Sequence, residues 1–190
     1  TDYLAGPIVN GQLYTDSPLT DITSPYDPSH SVGSEYAAQS QHIDEAFSSA
    51  AIAQLEWNAL GGNARANILD TMADLLEAQH AELIVLISDE AGRTVPDSID
   101  EIREAVDFCR YYALKAREHF SAPIALPGPT GESNQLSLHG RGVFLCISPW
   151  NFPLAIFVGQ IAAALAAGNS VIAKPAEQTP LIAAKAIALF

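Results

Sequence analysis

Residues 141–180 hold two apolar runs of strand length on either side of one helical pattern, and this narrows the possible folds more than any other part of the chain. Val143 to Ile147 is continuously apolar, which predicts a strand buried on both faces. Ser148 and Pro149 stop it. From Leu154 to about Ala167 the pattern is helical, and Gly168 is placed to close the helix in a left-handed cap. Ser170 to Ala173 is a second apolar run, ended by Pro175. Strand, helix and strand at this spacing predict a βαβ unit with parallel strands and a right-handed crossover, hence an α/β fold. In an open parallel sheet the ligand crevice lies beyond the carboxyl ends of the strands, so the loops 148–153 and 174–180 are expected to face one ligand.

The chain before residue 141 reads as follows. Residues 1–34 are rich in Pro, Gly, Asp, Ser and Thr, and Asn10-Gly11 between two short apolar touches predicts a hairpin, followed by a wrapping loop. An alanine-rich helix runs from Gln41 to about Leu60 and ends at Gly61-Gly62. Asn63 is a candidate cap for the next helix, in which Ile68, Leu69, Met72, Leu75 and Leu76 form one core-facing stripe. Pro96 suits the first turn of a later helix whose Ile99, Ile102, Val106, Cys109 and Ala113 recur at three- and four-residue steps. Residues 123–134 read as a Pro/Gly linker, and 135–139 alternate like a half-exposed strand, either an ordinary edge strand or one paired with another subunit.

The loops read P-W-N-F-P at 149–153 and K-P-A-E-Q-T-P at 174–180, and in this they resemble the aldehyde dehydrogenase superfamily. The longer runs C-I-S-P-W-N-F-P-L-A-I-F-V-G-Q and A-K-P-A-E-Q-T-P-L-I-A most resemble the glutamate semialdehyde (1-pyrroline-5-carboxylate) dehydrogenase half of bifunctional proline-utilisation flavoenzymes. The resemblance extends over most of the chain, since the segments before 141 follow the family's order of hairpin, helices and linking strand. It implies the amino-terminal part of a doubly wound NAD-binding domain, incomplete at residue 190. Residues 1–122 would be its hairpin and helices, 123–140 a linker with an oligomerisation strand, and 141–190 the first βαβ unit.

The implied reaction is attack of a cysteine thiolate on the aldehyde, hydride transfer to NAD and hydrolysis of the thioester, converting glutamate semialdehyde to glutamate in proline degradation. By this resemblance Asn151 donates its amide N–H groups to the oxygen that becomes negative, and Phe152 lines the aldehyde's path. Asn151 as a turn residue capping the following helix is the alternative. The same match places Ile147, Ser148, Pro149, Trp150, Lys174, Ala176 and Glu177 against the cofactor, with Trp150 packed under it. Lys174 suits ribose hydroxyls, and Glu177 can accept from a 2′-hydroxyl and repel a 2′-phosphate, which favours NAD over NADP. A solvated Lys–Glu pair is the bland alternative. Glu104, off the buried stripe of its helix, presents its carboxylate either to the aldehyde pocket or to solvent.

The family's nucleophilic cysteine and base glutamate lie beyond the second loop, so the chain is expected to be part of a longer enzyme and inactive alone. Cys109 and Cys146 both fall on apolar stretches that disfavour a thiolate. A flavin would belong only to a fused proline dehydrogenase domain outside this chain. Another aldehyde as substrate, or a non-catalytic domain retained for assembly or nucleotide sensing, remain competing readings.

Composition bounds the partners. The balance of 9 basic against 22 acidic residues gives −13, which disfavours nucleic acid and anionic membranes. No apolar stretch reaches the ~20 residues of a membrane span, and the first residues lack a signal-peptide pattern. Two cysteines imply no disulfide framework and fit a reducing cytoplasm, and no metal-ligand spacing is found, so no metal is expected; the family resemblance implies a small aldehyde as partner and a homo-oligomer.

Overall fold

The computed structural model describes residues 3–190. Its first elements are β-strands: β1 (Tyr3–Ala5), β2 (Ile8–Val9), β3 (Gln12–Leu13), β4 (Leu19–Ser24) and β5 (Asp27–Tyr36). Asn10 and Gly11 both take positive φ, at 53° and 75°, and turn β2 back onto β3 as the Asn-Gly pair predicts. The expected wrapping loop is instead a second hairpin. In it β4 runs antiparallel to β5, and β1 adds to the other edge of β5 in parallel. Its Ser, Thr and Asp residues masked the strands because most of that sheet's residues face water.

Four helices follow: α1 (Ser40–Ala59), α2 (Gly61–Ala78), α3 (His80–Ala91) and α4 (Val95–Phe120). Helix α4 opens with Pro96 in its first turn, as its sequence predicts, and the Thr94 side chain caps it by accepting from the Asp97 N–H. Helix α2 packs along α4 so closely that a Cβ at Gly62 would stand 2.2 Å from the Ala116 carbonyl oxygen. Asn63 does not cap α2. It lies within the helix and accepts from the Ser121 hydroxyl. The buried stripe of α2 carries Ala66, Leu69, Met72, Ala73 and Leu76, while Ile68 and Leu75 on its flank are exposed. In the same way Ile99 of α4 stays exposed and Ile102, Val106, Cys109 and Ala113 are buried. Each helix is covered along one line of approach only, so the stripe is narrower than the apolar sequence pattern.

Within the stretch read as a linker, β6 (Ile124–Leu126) pairs with β7 (Asn134–Leu136) as an exposed antiparallel hairpin. The strand therefore ends at Leu136 rather than reaching His139.

The βαβ unit is present: β8 (Val143–Ile147), α5 (Ala155–Ala166) and β9 (Ser170–Lys174), with β8 and β9 parallel. Gly168, at φ 87°, ends α5 in the expected left-handed cap. The Asn169 N–H reaches Ala164 O and the Gly168 N–H reaches Leu165 O, the paired bonds of a Schellman motif. The prediction that β8 is buried on both faces fails. Cys146 is buried, but Phe144, Leu145 and Ile147 are exposed, Ile147 at 60%. Among the described residues β8 pairs with β9 alone. An apolar run shows what a strand needs covered, and the cover is a tertiary matter. Helix α6 (Pro180–Leu189) follows and buries Leu181, Ile182 and Ala183 in the common core.

Helix α5 is held at both ends by buried charges. At its carboxyl end Arg65, 1% exposed, gives Nε to Ala166 O at 3.1 Å and Nη1 to Asn58 O at 2.9 Å. At its amino end Glu101, also 1% exposed, accepts from the N–H groups of Leu154 at 2.7 Å and Ala155 at 3.2 Å. Cation at the carboxyl end and anion at the amino end is the arrangement that the helix dipole favours. No helix among the described residues is long and apolar enough to cross a membrane.

Candidate active site

The two loops leave adjacent strands at the same edge. Ile147 stands opposite Lys174 in the ladder, and the Ser148 N–H donates to Lys174 O at 3.1 Å. In the first loop Ser148 and Pro153 are buried, Pro149 and Phe152 half-buried, and Trp150 and Asn151 exposed, Trp150 at 55%. Asn151 does not cap α5, because no side chain of the loop does so and Glu101 from α4 takes the first two N–H groups. Asn151 therefore lacks the capping role, and its side chain is exposed. Arg93, in the connection between α3 and α4, governs the rest of the loop. Its Nη1 donates to the Asn151 carbonyl, its guanidinium lies 4.5 Å over the Phe152 ring, and its Nε stands 3.0 Å from Glu101 Oε2. The last contact is an ion pair off the line of a good hydrogen bond, since neither atom meets hydrogen-bond geometry. Burial pushes the Glu101 carboxyl up, while the two N–H donors and Arg93 pull it back down.

The second loop has a parallel construction. Thr179 occupies the cap position of α6 without a side-chain bond, and Glu90, at the end of α3, accepts from the N–H groups of Leu181 at 2.6 Å and Ile182 at 2.8 Å. Glu90 is 3% exposed, and burial pushes its carboxyl up to about 7 against the pull of those donors. Ala176 is buried, while Lys174 and Glu177 are exposed with Nζ and Oε2 3.7 Å apart.

A cleft of about 720 Å³ opens beside this loop. Lys174, Ala176 and Glu177 line it, together with Ile172 of β9, Ala183 of α6 and Glu35 of β5. Ile147, Ser148, Pro149 and Trp150 do not line this cleft. They share a sheet edge, and the cleft lies on the α1–α6 side of β9, away from the first loop. Glu35 is held above the ordinary carboxyl range, first by burial and then by the Glu177 charge. Glu104 sits on the solvent face of α4, and the carboxylate that α4 sends to the first loop is Glu101.

Arg93, Glu90 and Glu101 were not singled out by sequence. One signal was available: Glu101 falls in the buried series Ser98, Glu101, Ala105, Cys109, and a charge on an apolar stripe requires a specific partner. Both cysteines are free and buried, and burial pushes the Cys109 thiol up to about 12 and Cys146 upward as well.

Comparison with known proteins places this α/β arrangement. The chain belongs to the aldehyde dehydrogenase family, whose model matches residues 14–190. Among its relatives, the bifunctional protein PutA of Salmonella typhimurium is 44% identical over 185 residues, 97% of this chain and 13% of that protein. The 1-pyrroline-5-carboxylate dehydrogenase of Staphylococcus aureus is 31% identical over 179 residues, 94% of this chain and 34% of that enzyme. The crystal structure of PutA from Bdellovibrio bacteriovorus superposes with a TM-score of 0.94 at 32% identity, covering 98% of this chain and 19% of that one. A 1-pyrroline-5-carboxylate dehydrogenase from Thermus with bound NAD gives 0.94 at 29% identity, covering 99% and 36%. The chain thus spans a small share of these relatives' lengths.

Proposed function

We propose that this chain supplies the cofactor-side part of an NAD-dependent dehydrogenase that oxidises L-glutamate γ-semialdehyde, the open form of 1-pyrroline-5-carboxylate, to L-glutamate. The observation that carries the reading is the state of Asn151. Its loop is held by Arg93 and Glu101, so its amide is spared the capping role and left exposed at the carboxyl edge of the sheet. Such an amide donates N–H to an oxygen gaining negative charge without bringing charge of its own. Relatives named for PutA and 1-pyrroline-5-carboxylate dehydrogenase support the substrate class.

The cleft residues suit a dinucleotide. Lys174 and Glu177 flank a position where a ribose diol can both accept and donate, and Glu35 and Glu177 together set negative charge against a 2′-phosphate. When bound, NAD accepts the hydride. By family resemblance Phe152 borders the aldehyde's path, and Glu104, on the water-facing side of α4, presents a carboxylate toward the mouth of the same path. The nucleophile and water-activating base come from outside these residues, since both thiols here are buried and held protonated. Exposed β6 and β7 suit pairing with another subunit in a homo-oligomer, which a light-scattering mass of one protomer would refute.

The test uses the complete polypeptide. Asn151→Ala is expected to lower kcat for glutamate semialdehyde by ~10²–10³-fold with NAD affinity unchanged, since one oxyanion donor is lost. An unchanged kcat would reject the reading in favour of a non-catalytic domain. Glu177→Ala is expected to narrow the preference for NAD over NADP, and NADP turnover that stays at wild-type level would remove Glu177 from ribose recognition. Glu104→Gln is expected to raise KM for glutamate semialdehyde and leave simple aliphatic aldehydes unaffected; equal changes for both would reject its substrate role.

A further inference from the structure

Arg93 makes three contacts that converge on the first loop. One nitrogen donates to the Asn151 carbonyl, the guanidinium plane covers the Phe152 ring at 4.5 Å, and Nε lies 3.0 Å from the fully buried Glu101. Glu101 in turn binds the first two N–H groups of α5, the helix into which the loop runs. The loop's own residues do none of this. The Pro149 and Pro153 rings restrict φ at its ends, while the peptide between Asn151 and Phe152 is anchored from outside by one guanidinium. An arginine suits this task better than a lysine, because its planar fork can bond a carbonyl, pair with a carboxylate and stack on a ring at once.

We infer that Arg93, oriented by Glu101, is the positioning residue that sets the direction of the Asn151 amide and the tilt of the Phe152 ring. The inference rests on the proposed role of Asn151 and adds to it the cause of its placement. Arg93 acts only through its neighbours. Its bond is to the backbone of Asn151, so the side-chain amide stays available, and the Phe152 ring is held by the guanidinium over it. Gly92, at φ 67°, supplies the left-handed turn that ends α3 just before Arg93.

The experiment is a double-mutant cycle in the complete enzyme with glutamate semialdehyde and NAD. Arg93→Met is expected to lower kcat by about 10–100-fold, the scale on which a misplaced donor costs turnover, with NAD affinity and the cofactor cleft unchanged. In an Asn151→Ala background the same substitution is expected to cost less than about threefold, because the group it positions is gone. Arg93→Lys, which keeps the charge beside Glu101 and loses the fork, is expected to fall between wild type and Arg93→Met, and it carries the test if the methionine variant does not fold. Equal losses in both backgrounds would overturn the inference, since a merely structural role predicts them. An unchanged kcat in Arg93→Met beside a defective Asn151→Ala would overturn it while leaving the proposed function standing. An unchanged Asn151→Ala would overturn both.

Discussion

At the scale of single residues, the buried carboxylates separate what a side chain is from what its surroundings make of it. Glu90 and Glu104 are the same residue type on neighbouring helices. Glu104 faces water, whereas burial pushes the Glu90 carboxyl to about 7. An unfolded glutamate titrates near ~4.3, so between about pH 4.5 and 7 the folded chain holds a proton that the unfolded chain has lost. The sign follows. Glu90's contribution to stability is greatest below about pH 4.5 and declines as pH rises to about 7, by a total on the order of 3 kcal/mol. The Glu35 charge adds to this trend, while the Leu181 and Ile182 N–H groups resist it. Glu90→Gln should remove the slope, so unfolding free energies measured at about pH 5 and about pH 7.5 should show the variant gaining on wild type. A constant difference between the two would contradict the assignment.

At the scale of elements, α5 shows why its ends matter more than its sequence. Its residues are apolar nearly all round, so pattern alone marks a buried helix without saying what aligns it. Arg65 and Glu101 supply the alignment from two other helices, α2 and α4, and neither was visible as a partner, being far from α5 in sequence. Replacing Arg65 by Met strands the Ala166 and Asn58 carbonyls away from water, and each such orphan costs about 1–3 kcal/mol. Arg65→Met should therefore lose about 2–5 kcal/mol in denaturant unfolding of the complete protein. A loss under about 1 kcal/mol would mean that water or another donor replaces it. The boundaries of α1, α4 and the βαβ unit were legible because Gly61, Pro96 and Gly168 act through local backbone preference. The β4–β5 hairpin was not, since polar strands carry no burial signal, and β6 was hidden because its three residues sit inside a stretch rich in Pro and Gly.

At the scale of the whole molecule, a net charge of −13 should keep molecules apart, yet β8 presents Phe144, Leu145 and Ile147 to solvent. These 190 residues expressed by themselves are expected to self-associate with rising concentration and to leave aldehydes unoxidised. Leu145→Lys combined with Ile147→Lys should suppress the association in sedimentation experiments. A monomeric wild-type chain, or one that turns over aldehydes, would refute the expectation. The amino-acid sequence by itself determined the helices with strong caps, the Asn-Gly hairpin and the parallel βαβ unit, because each depends on φ preferences and periodicity within a few neighbouring residues. It also marked the two loops through their own wording. Only the tertiary structure decided that Glu101 rather than Asn151 caps α5, that Arg93 anchors the Asn151 loop, and that a cleft opens beside the second loop. Those outcomes depend on side chains that meet across tens of residues, where distance in space and burial set the energy and sequence spacing carries no record of either.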